Sequence, residues 1–378
     1  MTFLGTTGAG AAVRYRDDKR YLWMLSFVPP LVPSLSYWLY AQTHNALATL
    51  IPALFIFGLI PALDRLIGED RHNPPAEVVA AMEADRYYMR LARLSVPLLW
   101  WNYLATVAFI GIYDLPWWSY VALLLGVGTI DGGALLVGHE LGHKAERIDQ
   151  IFGILANNVV GYAHFRIEHN RGHHTWVATP EDPASARFGE SIYAFAGREL
   201  PGAFRRGWAN EAERLTRKGL PVWSWRNEIL VGFALTLAVA AALVAAFGLK
   251  VLPFILAHHF MGWYALTQAN YVEHYGLKRA KLPDGRYQPV EPRHSWNTNH
   301  IVSNLMTFHL QRHSDHHANP MRPYQSLRDF DDLPRLPSGY PGMFVLAAIP
   351  PLWFRTMDPR ALAWAGGDRS KLNLRTAA

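Results

Sequence analysis

Six apolar stretches, each about 20 residues long, constrain the fold of this chain more than any other feature of its sequence. They lie near Tyr21–Ala41, Ala46–Leu66, Leu94–Tyr113, Trp117–Gly138, Ile229–Phe247 and Val251–Tyr271. A helix of about 20 apolar residues can cross the ~30 Å hydrocarbon core of a bilayer. Helices of a soluble core rarely stay apolar on every face over such a length. The sequence therefore predicts an all-α integral membrane protein with six transmembrane helices.

The basic residues predict the orientation of these helices. The connections after the first and third stretches contain no Lys or Arg, and the one after the fifth contains only Lys250. Nearly all of the 36 basic residues lie in the other connections and in the N-terminal segment. Loops rich in Lys and Arg stay in the cytoplasm. We therefore expect cytoplasmic termini and a cytosolic helical cap made of residues 139–226 and 275–378, in a single membrane-embedded domain of residues 1–378.

The composition excludes several kinds of site. The chain has no cysteine, so it holds no disulfide, zinc ribbon, thiolate nucleophile or cysteine-ligated iron–sulfur cluster. Its net charge of +6 belongs to one face of the protein by the predicted topology, and no nucleic-acid partner is expected.

Histidines supply the second strong signal, because most of the 17 are clustered. One pair lies in "HELGHK" at the end of the fourth stretch, and "NYVEHYG" ends the sixth. Two further clusters are "EHNRGHH" and "LQRHSDHH". Residues three or four apart lie on one helical face, about 5–6 Å from each other. All four elements are expected on the same side of the membrane.

The segment "HELGH" also matches a zinc-protease motif, with two His ligands and a Glu base on one helix. A catalytic zinc needs three protein ligands, so a protease would leave most of the clustered histidines without a role. Eight or nine imidazoles suit two metal ions with open positions better. Imidazole binds zinc, copper, nickel or iron, so the spacing does not choose the metal.

Five motifs together resemble those of the membrane-bound alkane monooxygenases, which belong to an integral-membrane di-iron superfamily with the fatty-acid desaturases. The motifs "HELGHK", "EHNRGHH", "ATPEDPASAR", "NYVEHYG" and "LQRHSDHHANP" follow one another between Gly138 and Pro320. The six apolar stretches also fit the plan of that family. The superfamily has three histidine boxes, which His139–His143, His169–His174 and His313–His317 match as the first, second and third box. One box alone is a weak signal, but five motifs in order are a strong one.

The resemblance implies a di-iron centre with nine histidine ligands. The expected ligands are His139, His143, His169, His173, His174, His274, His313, His316 and His317. Four carboxylates close to them in sequence are candidates to accept hydrogen bonds from the ligand rings, which orients such rings. These are Glu140, Glu168, Glu273 and Asp315. In this interpretation Glu140 is not a protease base.

The resemblance also implies the reaction, which is the O2-dependent hydroxylation of an alkane at its terminal methyl group. In that family the electrons come from NADH through rubredoxin reductase and rubredoxin, at the bacterial inner membrane. Rubredoxin holds its iron with four cysteines, so here it must be a separate protein or lie outside this sequence. A basic cytosolic surface suits an acidic carrier, and equally anionic lipid. Alkylbenzene methyl hydroxylation and fatty-acyl desaturation remain alternatives.

The other histidines are expected to have structural roles. His259 precedes His274 by 15 residues, about 22 Å along a helix, so it and His258 are expected to form hydrogen bonds within the bundle. His309 is expected outside the ligand set, although it shares the helical face of His313. Asp131 and Asn270 are candidates for structural hydrogen bonds or for bracing the site. Surface, bracing or packing roles are expected for His44, His72, His164, His294 and His300.

A channel for an apolar substrate is expected between the transmembrane helices. Its far end is predicted to be lined or blocked by Phe55, Ile56, Phe57, Tyr264 and Leu266.

Overall fold

The computed structural model describes residues 1–375 and is mostly helical, with 66% of residues in helices. The N-terminus differs from the predicted all-α fold, because strands β1 (Thr2–Thr6) and β2 (Ala12–Arg16) form an antiparallel hairpin. A helix beginning at residue 76 packs so closely on this hairpin that a Cβ at Gly5 would overlap the backbone of Glu77. The all-α prediction is therefore corrected at the N-terminus.

The helices are numbered here in chain order. They are α1 (Leu22–Thr43), α2 (Ala46–Ile67), α3 (Ala76–Glu83), α4 (Arg86–Ile112), α5 (Trp117–Gly142), α6 (Arg147–Val159), α7 (165–176), α8 (Ile192–Arg217), α9 (Glu228–Phe247), α10 (Leu252–His274), α11 (Ile301–Met306), α12 (His313–Ala318), α13 (Tyr340–Ala347) and α14 (Pro350–Trp364). Short 3₁₀ turns begin α1 and α2 and also occur at Leu249–Val251, Pro292–His294, Tyr324–Ser326 and Arg369–Lys371.

Within residues 1–375, five helices are long and apolar enough to cross a membrane, namely α1, α2, α4, α5 and α9. They match five of the six predicted spans, although α4 begins eight residues earlier than predicted, at Arg86 rather than Leu94. The sixth predicted span forms α10, which has 23 residues and is about 35 Å long. Polar side chains such as His258, His259 and Gln268 give α10 a lower mean hydropathy than the other five helices.

Helices α5 and α10 form the centre of the bundle. Buried residues make up 72% of the most apolar part of α5, but only 17–28% of that part of α1, α2 and α9. The two central helices touch through glycine, because a Cβ at Gly132 would overlap the Cβ of Ala265 and one at Gly128 would overlap Met261. Small residues let helix backbones pack closely inside membranes. This contact places the C-terminal ends of α5 and α10 at the same end of the bundle.

Several shorter helices and α8 pack around that end. Helix α6 packs along α5, and α8 lies across α7 and α10. A separate apolar core, built around Tyr271, Trp296 and Trp353, joins the end of α10 to α13 and α14. The opposite end carries the short connections, where Lys250 approaches Asp114 at 3.4 Å. Helices α6, α7, α8, α13 and α14 thus lie next to the ends of α5 and α10.

Candidate metal centre

The C-terminal end of α5 carries His139 and His143, whose ring centroids are 5.1 Å apart. This is the spacing expected for residues one helical turn apart. Helix α6 closes behind them, because Gly138 leaves room for Asn157, which a Cβ at that position would overlap. The ring of His139 lies 4.6 Å from that of His169, and His143 lies 4.8 Å from His174. The first two predicted boxes therefore meet.

A π-turn assembles the second box. Residues His169–His173 of α7 form this wider turn, in which hydrogen bonds join residues five apart. The Nε2 atoms of His169 and His174 lie 3.0 Å apart. In a regular α-helix, residues five apart point about 140° away from each other. The π-turn therefore brings together two rings that regular α-helical spacing would separate.

The third box lies on α12, which has only six residues. So short a helix depends on tertiary contacts rather than on helix propensity. Ser314 supplies two of them, since its amide donates to Asn297 Oδ1 (2.9 Å) and its hydroxyl donates to the carbonyl of Ser295 (2.8 Å). As a result, Nε2 of His316 lies 3.2 Å from Nε2 of His174.

The nine predicted histidines collect in two groups within the part of the chain that the structure describes. The group of five contains His139, His143, His169, His174 and His316. The group of four contains His173, His274, His313 and His317. In each group the possible ligand atoms all lie within 4.8 Å of one another. The groups are neighbours, because the rings of His174 and His317 are 4.6 Å apart. The fold thus provides the division into two sets that the sequence spacing did not.

Both groups fit metal ions held by imidazole. Within the described residues, the buried Nε2 atoms of His139, His143, His173 and His274 have no hydrogen-bond partner. A buried polar atom left unpaired costs roughly 1–3 kcal/mol, and a bound metal ion removes that cost. Inside the groups, three Nε2–Nε2 separations of 2.8–3.2 Å occur. Such separations suit two imidazoles that share one ion at about 2.1 Å.

Burial keeps most of these rings neutral. Burial, together with the nearby His139 and Lys144, lowers the pKa of His143 to about 2. Burial and the neighbouring imidazoles also lower the pKa values of the other predicted ligands on α7 and α12, except that of His173. Although burial lowers the pKa of His173 as well, Asp182 beside it outweighs this effect and raises the pKa. Neutral imidazole is the form that binds metals.

Asp182 orients His173 and was not singled out from the sequence. Its Oδ2 lies 2.9 Å from Nδ1 of His173, which leaves Nε2 of that ring for a metal. The carboxylate is fully buried and also accepts hydrogen bonds from Ser185 (2.6 Å) and Arg206 (2.8 Å). Asp182 lies in the motif "ATPEDPASAR". That motif was the sequence feature from which a role for Asp182 could have been predicted.

Of the four carboxylates predicted to accept hydrogen bonds from ligand rings, Glu273 lies beside a ring, but at Nε2 of His313, the nitrogen that also lies 2.8 Å from Nε2 of His317. Its Oε2 lies 3.2 Å from Nε2 of His313, and the hydroxyl of Tyr340 donates to its Oε1 at 2.7 Å. The other three carboxylates form ion pairs with nearby cations. The pairs are Glu140 with Lys144 at 2.9 Å, Glu168 with Arg206, and Asp315 with Arg322 at 2.6 Å.

The histidines expected to be structural lie outside both groups. Nε2 of His258 is 2.9 Å from Oδ2 of Asp131 inside the bundle. Nδ1 of His309 is 3.1 Å from the carbonyl of Tyr324. The amide of Asn270 donates to Glu199 rather than to a ligand ring. These contacts agree with the structural roles predicted for His258 and His309, and they favour the structural option for Asp131 and Asn270.

An apolar cavity of about 100 Å³ lies within the bundle, between α1, α2, α4, α5 and α10. Its wall includes Ile56 and Leu266 of the predicted channel residues. The other three predicted channel residues, Phe55, Phe57 and Tyr264, lie outside that wall. A smaller cavity shares part of the wall and is also lined by His139 and His316. The shared residues are Leu136, Thr307, Phe308 and Leu310. An apolar space therefore reaches the group of five.

Comparisons with known proteins identify the family of this chain. Residues 115–347 match the family described as fatty acid desaturase. The alkane 1-monooxygenase of Ectopseudomonas oleovorans is 50% identical over 365 residues, which cover 96% of this chain and 91% of that protein. Alkane 1-monooxygenase 1 of Alcanivorax borkumensis is 50% identical over 361 residues, covering 95% and 89%. The xylene/toluene monooxygenase hydroxylase component of Pseudomonas putida is 29% identical over 232 residues, or 61% of each chain.

Proposed function

Because the chain belongs to the alkane 1-monooxygenase family, within the wider fatty acid desaturase family, we propose that it hydroxylates the terminal methyl group of alkanes. Each turnover consumes one O2, two electrons and two protons. One oxygen atom enters the C–H bond to give a primary alcohol, and the other leaves as water. The observation that carries the proposal is an apolar cavity next to a smaller one that ends at His139 and His316 of the group of five, with the group of four beside that group.

Two iron ions are the proposed cofactor, one held by the group of five and one by the group of four. When bound, the irons supply the reduction of O2 and the transfer of one oxygen atom to the substrate. The protein supplies ring orientation. Asp182 holds the proton of His173 on Nδ1, and the backbone carbonyl of His294 lies 3.4 Å from Nδ1 of His274. Both contacts leave Nε2 for the metal, and such partners also raise the basicity of a ligand.

The cavity supplies substrate binding by excluding water. Its wall is mostly apolar, so an alkane chain gains by leaving water or lipid headgroups, about 0.8 kcal/mol for each CH₂ buried from water. The terminal methyl group is expected to point toward His139 and His316, because the smaller cavity ends at these rings. Leu136 and Leu310 line both cavities and are therefore expected to contact the reacting end of the chain.

The proposed membrane arrangement adds α10 to the five apolar helices, giving six spans in a single domain of residues 1–378. The cap of residues 139–226 and 275–378 is proposed to face the cytoplasm of a bacterial inner membrane. The clustering of basic residues at that end supports this orientation. The proposed electron donor is rubredoxin, reduced by an NADH-dependent rubredoxin reductase, and it rests on the family resemblance.

Alkylbenzene methyl hydroxylation is the second candidate. The similarity to the xylene/toluene monooxygenase component favours it, but 29% identity against 50% for the alkane 1-monooxygenases favours alkanes. A fatty-acyl desaturase fits the histidine groups but not the five motifs. A zinc protease built on His139, His143 and Glu140 leaves the group of four unexplained, and its base would be paired with Lys144.

Product analysis tests the proposal. The purified protein, in nanodiscs with rubredoxin, its reductase, NADH and O2, would receive alkanes, alkylbenzenes and fatty acyl substrates in parallel. We expect primary alcohols from alkanes, and two irons per chain by mass spectrometry of the metals. Faster turnover of alkylbenzenes would favour the second candidate. One zinc ion with peptidase activity would refute the monooxygenase proposal.

A further inference from the structure

A concave, positively charged surface lies beside the histidine groups, and we call it the basic basin. It encloses about 900 Å³. Its charged lining residues are Lys278, Arg279, Lys281, Arg293, Lys371 and the single acid Glu181. A surface with five cations and one anion attracts an acidic partner and repels a basic one. The basin thus has a clear charge preference.

Among the described residues, the three exposed lysines of the basin make no close ion pair. The ammonium group of Lys278 donates to the backbone carbonyl of Ser370 at 3.1 Å and not to a carboxylate. Lys281 lies 5.2 Å from the ring centre of Tyr287. Lys371 approaches Asp368 only to 4.0 Å, the weak contact of an exposed pair. The basin therefore keeps its positive charge for a partner from outside.

The floor of the basin is one contact away from each histidine group. His294 lines the basin, and its carbonyl oxygen lies 3.4 Å from Nδ1 of His274 in the group of four. Arg279 also lines it and donates to the carbonyl of Thr175 at 2.7 Å. Thr175 directly follows His174, a member of the group of five. Short, hydrogen-bonded paths conduct electrons better than gaps through space, so reductant bound in this basin is close to both sites.

We propose that the basic basin is the docking surface for an acidic, one-electron carrier protein that reduces this enzyme. The proposal rests on the proposed function, because O2-dependent hydroxylation needs two electrons from an external carrier. A convex acidic surface fills a concave basic one, with aromatic Trp364 and Tyr287 on its wall, whereas a flat layer of lipid headgroups does not enter it. Two docking events supply the two electrons of one turnover, and each oxidises one reduced carrier.

Charge reversal tests the proposal. The double variant Lys278→Glu/Lys281→Glu is compared with Arg147→Glu/Lys218→Glu, in which two exposed cations outside the basin are reversed. With reduced rubredoxin as the varied substrate, we expect kcat/KM for the carrier to fall at least about tenfold in the basin variant only. Its dependence on salt should weaken too, because fewer charges remain to be screened. Equal rates in both variants would overturn the docking proposal.

A carrier-free assay separates this outcome from failure of the proposed function. Dithionite reduces both variants and the unchanged protein, and alcohol formed in a single turnover with O2 is then measured. We expect equal iron content and equal alcohol yield in all three. If the unchanged protein forms no alcohol with dithionite or with rubredoxin, the proposed function itself fails. If the basin variant alone loses iron, the basin is structural and the docking proposal is overturned.

Steric blocking provides a test that does not depend on charge. Because the chain has no cysteine, Lys281→Cys and Lys218→Cys each create a single thiol that a bulky maleimide polymer can label. We expect the label to stop rubredoxin-driven turnover at position 281 and not at 218, with dithionite-driven turnover intact at both. Should the Lys278→Glu/Lys281→Glu variant instead change only the preference of the protein for phosphatidylglycerol over phosphatidylcholine nanodiscs, the basin binds lipid and the docking proposal is wrong.

Discussion

At the scale of single residues, the histidines of the two groups differ from the structural histidines in the contacts of their ring nitrogens. Nδ1 of His173 meets a carboxylate and Nδ1 of His274 meets a backbone carbonyl, so their Nε2 atoms remain for a metal. His309 lies close in sequence to the third box, but its ring is held by Tyr324 and by an edge contact with Trp23 at 4.6 Å. Sequence spacing alone does not show these contacts.

The ligand set can be tested with one pair of variants. We expect His274→Ala to abolish hydroxylation and to lower bound iron, because it removes one of the four nitrogens of its group. His309→Ala should keep both irons and most of the activity, although losing the contact with Trp23 lowers its melting temperature. Iron analysis and alcohol yield distinguish the two. Equal loss of iron from both variants, or full iron in His274→Ala, would show that the nine-histidine assignment is wrong.

Asp182 offers a test of ring orientation. Asp182→Asn removes the negative charge that accepts the Nδ1 proton of His173, so we expect iron affinity to fall by about 10–100-fold. The measurement is competition with a coloured chelator. Asp149→Asn is the control, because Asp149 is equally buried and pairs with Arg93 at 2.6 Å, away from the histidines. Unchanged affinity in Asp182→Asn would mean that the carboxylate has no role in metal binding.

At the scale of elements, two local departures from regular geometry build the site. The π-turn of α7 brings His169 and His174 together, and glycine contacts bring α5 and α10 together. Both features are encoded locally, but neither can be read from hydrophobic periodicity. The π-turn contains one glycine, Gly172, where a Cβ would overlap the guanidinium of Arg206. The close packing of α7 against α8 therefore also depends on glycine at position 172, which has no side chain.

Adjacent glycines of α5 make a matched pair for testing this packing. A Cβ at Gly132 would lie 2.6 Å from the Cβ of Ala265, whereas one at Gly133 would meet nothing within 4 Å. We expect Gly132→Ala to lower the free energy of unfolding by about 1–3 kcal/mol through overpacking and to reduce bound iron. Gly133→Ala should keep stability and iron. Thermal unfolding in detergent, followed with metal analysis, compares them, and identical behaviour would contradict the packing argument.

At the scale of the whole molecule, the bundle encloses an apolar space and the segments around the ends of α5 and α10 enclose polar metal sites. Helices α5 and α10 contribute to both, since their middle parts line the apolar cavity and their ends carry His139 and His274. In the proposed function, an apolar substrate and a water-borne reductant would reach the same histidines from different sides. The wall of the cavity then decides which substrates fit.

Cavity depth should therefore control the preferred alkane length. Ile56→Ala and Leu266→Ala remove side chains from the wall, so we expect both to shift the preference toward longer alkanes. Phe55→Ala and Tyr264→Ala, whose side chains lie outside the wall, should keep the original profile. The measurement is the relative rate of alcohol formation across a series of alkanes. A shift in the second pair without one in the first would refute this placement of the channel.

The sequence by itself determined the helical membrane class, five of the spans and the histidine clusters, and the family resemblance implied all nine histidines of the two groups. It did so because membrane thickness sets the length of apolar helices and metal chemistry selects residue types at short spacing. The family motifs showed which protein family the chain resembles. Only the tertiary structure decided how the nine rings divide, since His173 and His174 are neighbours in sequence and yet belong to different groups. It also decided that Asp182 contacts a ring while Glu140, Glu168 and Asp315 pair with cations. Such choices depend on which side chains meet across helices distant in sequence, and hydrophobic pattern carries no information about that.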